Sequence, residues 1–356
     1  MQAQSRVFIL VMMLVVGGCS GGGTSRAGGT AGAAKGPIKG ALNGGQSPIC
    51  NSTVTLVGAG LEGNCGSTTT DSSGNFNIVP VACGAISTTQ MYIVATGGVP
   101  NTNSCPGNSN TAIALSAALG QFDSLPGFVN IDEVTTVASV WALNQFLNFN
   151  GQSLLSPGLN TVGMDNAARA VTSKNLVDVS TGKAPASFGP GVLSPTSKLY
   201  TLADMLASCV NTSSSGSPEC TQLLCLAAPG GGGSPCGVTP LSDTLAAAIN
   251  ITRNPANNVT ALFNLVTPSS PFQPTLASAP TDWLLAITFN NIGGLSNPWG
   301  IAIDGEGNVW TANNGNNSVS KFNPVGVALT GATGFTGFGI LQPKEMPSMR
   351  LGTRWS

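Results

Sequence analysis

Cysteine placement constrains this chain more than any other feature. Of nine cysteines, Cys19 stands alone near the start. The other eight fall in two groups of four: Cys50, Cys65, Cys83 and Cys105, then Cys209, Cys220, Cys225 and Cys236. An even number grouped this way, among Gly, Ser and Pro, reads as disulfides formed in an oxidising compartment, each group closing its own module. Zinc is the competing arrangement, but there is no tight CxxC pair and the chain has no histidine to complete a ligand set. No metal or cofactor is therefore expected. Short loops point to Cys209–Cys220 and Cys225–Cys236. The same reasoning gives Cys50–Cys65 and Cys83–Cys105.

The N-terminus supplies an address. Arg6 precedes an apolar run from Val7 to Val16, too short to span a bilayer and followed by Gly17-Gly18-Cys19-Ser20. The pattern is a signal peptide, residues 1–19, whose end resembles the bacterial lipobox; an ordinary signal peptide with a chance cysteine is the alternative. The resemblance implies an acylated Cys19, a lipid bilayer as partner, and an extracytoplasmic position on the cell envelope. Residues 20–35 are Gly/Ser/Thr/Ala-rich and read as a flexible tether.

"VTLVGAGLEG", Val54 to Gly63, carries the Gly58-x-Gly60-x-x-Gly63 spacing of dinucleotide sites. Such a site needs a helix directly after the glycines and an acid about twenty residues on. "NCGSTTTDSSGNF" supplies neither, so the glycines read as turn residues at a strand end. "GPIKGAL", "STVTLVG", "NFNIVPVA" and "MYIVATGG" are β-prone runs separated by turns, with Asp71-Ser-Ser-Gly leading into a strand. This arrangement over residues 36–107 resembles carboxypeptidase-regulatory-like and Cna-B-like β-sandwich modules. Relatives with a Lys–Asn isopeptide bond use a catalytic acid. Besides Asp71 the only acid here is Glu62, in a predicted loop, so that chemistry is not carried over.

Residues 108–283 change to helical patterns, predicting a small helical bundle. In "VNIDEVTTVASVWALNQFL", Asn130 is placed to cap with Glu133 three residues later, and Val134, Val137, Ala138 and Trp141 mark one face. "MDNAARAVTSKNLVDV", "PTSKLYTLADMLASCV", "LSDTLAAAINITRN" and "NNVTALFNLV" are further helices. Leu199, Leu202 and Leu206 share a face, Asp243 can cap, Asn254-Pro255 stops one helix and Asn257-Asn258 can cap the next. Asp132 and Glu133 form a carboxylate pair, which a helix dipole explains without catalysis.

Residues 284–339 contain the most specific stretch, "NPWGIAIDGEGNVWTANNGNNSVSKFNPVG". It reads as strands "GIAID", "NVWTAN" and "SVSKFN". Pro298, Gly300, Asp304, Gly307, Asn308, Trp310 and Asn313 fit an NHL-type β-propeller repeat, which it resembles, as found in NHL proteins and streptogramin-lyase-like propellers. A blade from Leu284 to Gly339 is expected to expose an apolar face carrying Ile301, Ile303, Val309 and Trp310. "ALTGATGFTGFG" leads toward a second blade that does not arrive, and residues 340–356 read as a disordered tail. The expected architecture is thus a mixed multi-domain chain: N-terminal β-sandwich, central helical bundle, and one truncated blade of a longer propeller.

Function narrows by exclusion. Charged residues make up 8% with a net charge of −1, so no field draws in nucleic acid. Without histidine no Ser-His-Asp triad can form, and no catalytic residue is assigned. The resemblance implies a non-enzymatic envelope lipoprotein with a protein partner at the repeat. A streptogramin-lyase-like enzyme, or a carbohydrate- or peptide-binding envelope protein, is the alternative.

Overall fold

The computed structural model describes residues 36–341 and 343, apart from 62, 101–104, 106, 150–153, 158–161, 173, 186–190, 233–235, 305, 324–325 and 338. The predicted signal peptide, Cys19, the predicted tether, Glu62 and almost all of the chain after residue 341 lie outside the described residues. The fold mixes helices with several antiparallel sheets, and no sheet of the described residues closes into a barrel. Two compact bodies emerge: 36–185 with 196–285, and 191–195 with 286–343.

The first body is built on two facing sheets. Strands β1 (Ile38–Gly44), β2 (Ser47–Cys50), β3 (Thr53–Gly58), β4 (Ser67–Thr69), β5 (Asn75–Ile78), β6 (Gln90–Thr96), β7 (Val99–Pro100), β8 (Ala114–Gln121) and β9 (Phe128–Ile131) form them. One sheet runs β5-β1-β2-β7 with β9 parallel to β1, and the other runs β4-β3-β6-β8. Alternation buries one face of each strand. Ile38, Leu42, Ile49, Ile78 and Ile131 from one sheet meet Leu56, Ile93 and Leu115 from the other in a single core.

Local chemistry sets the turns. Asp71 Oδ1 accepts the Ser73 and Asn75 N–H groups at 2.8 and 2.9 Å, and Gly74 takes φ +74°, so the Asp-Ser-Ser-Gly turn launches β5 as expected. Gly58 ends β3 and Gly60 turns at φ +73°, leading into turns and β4 where a nucleotide fold would need a helix.

The sheets do not end at residue 107. β8 and β9 complete them, because β6 and β1 would otherwise expose unpaired edges. The helices α1 (Glu133–Leu143), α2 (Val162–Thr172), α3 (Thr196–Val210), α4 (Pro218–Leu226), α5 (Thr244–Arg253) and α6 (Val259–Phe263) belong to the same body. α1, α2 and α5 pack on β8, and α1 also contacts α2, α3 and α5, so the expected separate bundle is corrected to a layer on the sandwich. Helix α4 carries Ser217 as N-cap and Pro218 at its first position; its sequence escaped the helical reading. A short hairpin, β10 (Leu147–Phe149) with β11 (Leu154–Pro157), follows α1.

Two caps differ from expectation. Asp132, not Asn130, caps α1: Asp132 Oδ1 accepts the Thr135 N–H at 2.7 Å, and Thr135 Oγ1 accepts the Asp132 N–H at 2.9 Å. Asn130 is held inside β9, where β pairing with β1 wins over capping. Asn258 precedes α6 but makes no side-chain cap, because its Nδ2 donates to the Leu226 and Gly231 carbonyls. Asp243 does cap α5, accepting the Ala246 N–H.

All eight grouped cysteines are paired. Cys209–Cys220 and Cys225–Cys236 match the short-loop reading. In the first group the connectivity is Cys50–Cys105 and Cys65–Cys83, overturning Cys50–Cys65 and Cys83–Cys105. Sequence proximity lost here to topology. Cys50 ends β2, which pairs with β7 only a few residues before Cys105 in the chain, whereas Cys65 lies between β3 and β4.

The second body contains β12 (Val192–Leu193) paired with β13 (Thr288–Phe289), and an antiparallel sheet of β14 (Pro298–Ile303), β15 (Val309–Asn313) and β16 (Ser318–Phe322). These last three are the strands read from the sequence.

Candidate functional site

In the second body, the turn between β14 and β15 is organised by one carboxylate. Asp304 Oδ1 accepts the Glu306 and Asn308 N–H groups at 3.0 and 2.8 Å. Its Oδ2 accepts from Asn308 Nδ2 at 2.9 Å and from the Trp310 indole N–H at 2.9 Å. Lys321 Nζ lies 3.4 Å from Oδ2 and 4.6 Å from the centroid of the Trp310 ring, and Phe335 stacks on that ring at 6.1 Å. Burial alone would raise the Asp304 pKa. The bonds from Trp310, Asn308 and Glu306 outweigh it and hold the carboxyl down at about 2. With both oxygens engaged, Asp304 is a structural hub.

Asn313 works at the other end of β15. Its Nδ2 donates to Ser318 and Ser320 at 3.0 and 2.8 Å, and the Ser320 hydroxyl donates to the Gly293 carbonyl at 2.6 Å. Pro298 and Gly300 lie on β14, flanking a register shift, and Gly307 turns at φ +81°. The structure therefore brings Asp304, Asn308 and Trp310 together and leaves Pro298, Gly300, Gly307 and Asn313 in separate structural roles.

What the sheet offers to a partner is a surface. Trp299, Ile301 and Ile303 alternate along β14 and are 58%, 50% and 51% exposed. Ile301 and Ile303 were expected on the exposed face. Val309 is buried at 3% and Trp310 half-buried, because β16 and Phe335 cover them. Trp299 escaped the sequence reading, although its i, i+2 spacing from Ile301 is a strand signal. β14 is also an edge strand. The opposite edge, β16, is bridged by Phe335 on Val319 and Ala328 on Phe322.

The first body holds buried carboxylates and a polar cleft. The acidic pair does not act as a pair on solvent. Asp132 caps α1, while both Glu133 oxygens accept the Gly45 N–H, at 2.9 and 3.0 Å, tying α1 to the β1–β2 hairpin. Burial raises the pKa of Asp132 to about 7 and that of Glu133 well above the usual range, the Asp132 charge adding to the latter. Asp204 is likewise raised to about 7 by burial; its Oδ1 accepts from the Phe272 N–H and its Oδ2 has no hydrogen-bond partner. A cleft of about 550 Å³ lies between β8, α2 and residues 174–180. There Gln90 and Gln121 donate to Asp165, and Lys174 pairs with Asp178. These contacts tie Asp165 and Asp178 to neighbouring side chains of the same cleft. Among the described residues no group of three His, Cys, Asp or Glu side chains could hold a metal ion.

One family model, the NHL repeat, matches residues 295–322, which are β14–β16 and their lead-in. No curated protein and no solved structure matches the chain.

Proposed function

We propose that this chain is a non-enzymatic, lipid-anchored protein of the bacterial cell envelope, and that its NHL repeat is a protein-interaction surface. The observation that carries the reading is the NHL match coinciding with the exposed row Trp299, Ile301 and Ile303. Contiguous exposed apolar surface on a folded sheet marks interaction sites. Four disulfides support an extracytoplasmic position. No helix of the described residues is long and apolar enough to cross a membrane, so attachment falls to Cys19 of the lipobox-like segment. Lipidation at Cys19 anchors the mature chain; Cys19→Ser should abolish acylation and membrane partitioning, and unchanged partitioning refutes the anchor. A chain lacking histidine has no general base of the commonest kind, which supports a binding role. Streptogramin cleavage by the purified chain would overturn it.

The surface is tested by placing a photo-crosslinking amino acid at Trp299 and, as a control, at the exposed Val79 of the first body, in intact cells. Protein cross-links at 299 and none at 79 are expected. Equal labelling at both sites would sink the reading.

A further inference from the structure

We infer that the β1–β2 turn and the segment 269–272 form a latch that a rise in pH releases while the rest of the first body stays folded. Each is held through one backbone N–H by a buried carboxyl on a helix. Glu133, the first residue of α1, takes the Gly45 N–H on both oxygens, and Asp204 of α3 takes the Phe272 N–H at 3.0 Å on one. A strap joins the two segments: Gln46 Nε2 donates to the Pro271 carbonyl at 2.6 Å. Beside them lies a hollow of about 560 Å³, bordered by Gly44, Gln46, Ser47, Asn211 and Pro271, which gives both segments room to move.

The chemistry of the two carboxyls makes these grips conditional. Glu133 and Asp204 are 0% and 1% exposed, and Asp204 Oδ2 has no hydrogen-bond partner. Among the described residues no Lys or Arg pairs with them or with the neighbouring Asp132. On the packed elements, Lys198 of α3 donates to Asp282 and the Leu284 carbonyl, and Arg253 of α5 to Asn144 and the Leu147 carbonyl. Lys39, Arg169, Lys183 and Glu219 are exposed. Asp165 takes the Gln90 and Gln121 amides, Asp178 pairs with Lys174, Asp243 caps α5 and the Tyr200 hydroxyl takes the Ala184 N–H. β8, β9, α6 and both held segments carry no charged residue. Ionised together, Glu133 and Asp204 would be buried like charges without a counter-ion. Burial therefore keeps Asp204 protonated up to about pH 7 and Glu133 higher, whereas in an opened, hydrated latch each ionises near 4. The closed latch binds more protons than the open one, so it is tightest near pH 4 and loosens as pH rises. The loosening levels above about pH 7 at Phe272 and later at Gly45. Each carboxyl shifts the equilibrium by up to about tenfold per pH unit.

Amide exchange on the full chain between about pH 4 and about pH 8, each rate divided by its intrinsic rate, tests this. At about pH 7 the Gly45 and Phe272 amides should be at least about tenfold less protected than that of Ile93 in the core, and their protection should fall as pH rises. Asp204→Asn and Glu133→Gln keep an oxygen for the same N–H and remove the titration. The first should flatten the profile at Phe272 and the second that at Gly45. Equal protection of Gly45, Phe272 and Ile93 would mean that only global unfolding exposes them, and overturns the latch. So does protection at Phe272 that is independent of pH in the wild type, or that keeps its slope in Asp204→Asn. Should a variant fail to fold, the wild-type profile decides alone.

Discussion

Strands β8 and β14 each end an antiparallel sheet, and the molecule treats them in opposite ways. The β8 edge is closed by hydroxyls. Thr244 Oγ1 on α5 accepts the Ala114 N–H at 3.0 Å and donates to the Ala114 carbonyl at 2.7 Å, as a paired strand residue would. Thr136 and Ser139 on α1 accept the Ser116 and Ala118 N–H groups at 2.9 and 2.8 Å. Three helical hydroxyls thus stand in for a missing strand and remove a site of association. Among the described residues no second strand pairs with the outer side of β14, which carries a half-exposed apolar row. A sheet edge sealed by helical hydroxyls leaves those backbone groups satisfied and offers no row of donors and acceptors to another strand.

The largest effect should come from the disulfides that cross-link the first body. Replacing Cys50 and Cys105 by alanine releases a closure spanning 55 residues, a loss of about 4 kcal/mol by chain entropy. Thermal unfolding of the first body should shift down, while exchange protection in β15 stays as it was. A parallel loss in β15 would break the comparison. Next in size, Thr136→Val and Thr244→Val keep shape but strand the Ser116 N–H and both backbone groups of Ala114. Each should cost about 1–3 kcal/mol. The amides of Ala114 and Ser116 should exchange faster first. If they stay protected, the hydroxyls are not what seals β8.

The pH response should separate the two bodies. Asp132 and Asp204 keep their protons in the folded chain up to about pH 7, whereas unfolded carboxyls release them near 4. The unfolded state then binds fewer protons across this window, so these two carboxyls make the first body lose stability as pH rises from about 4 to about 7, and their own contribution is level above it. Asp204→Asn should flatten that slope; an unchanged slope would clear Asp204 of the effect. Asp304 has the opposite sign. Its folded pKa of about 2 gives the second sheet a contribution that is complete above about pH 4 and lost as pH falls toward 2. Exchange in β15 at pH 3 against pH 5 reads it directly. The smallest effect belongs to the open edge: Ile303→Thr, at a half-exposed position, should change stability by less than about 0.5 kcal/mol. A larger cost would mean that Ile303 is packed and the edge is not open.

Much of this was legible where the signal spans a few residues. The strands of the repeat, the Asp71 turn, the Asp243 cap and the pairs Cys209–Cys220 and Cys225–Cys236 each depend on groups that meet within one turn or one short loop. The NHL strands were legible for a further reason: turn residues at fixed offsets punctuate an alternating pattern. Helix α4 was not, because two of its positions are cysteines and its start follows a Ser/Gly/Pro-rich stretch that reads as loop. Within the candidate site, Asp304, Asn308 and Trp310 were picked out by their fit to the NHL-type repeat that the stretch resembles. Their shared hydrogen bonds, and the exposure of Trp299, were not.

By itself, then, the sequence determined the local elements of this protein, because caps, turns and periodicity act through neighbours whose distance the backbone fixes. Only the tertiary structure decided that β9 lies parallel to β1, that Cys50 reaches Cys105, that Glu133 holds the Gly45 N–H, and that Thr136, Ser139 and Thr244 seal β8. Each of these joins groups far apart in the chain. Which of many equally β-prone or hydroxyl-bearing segments meets a given edge is settled by the burial of the whole core and by every backbone donor and acceptor finding a partner, conditions that no short stretch of sequence contains.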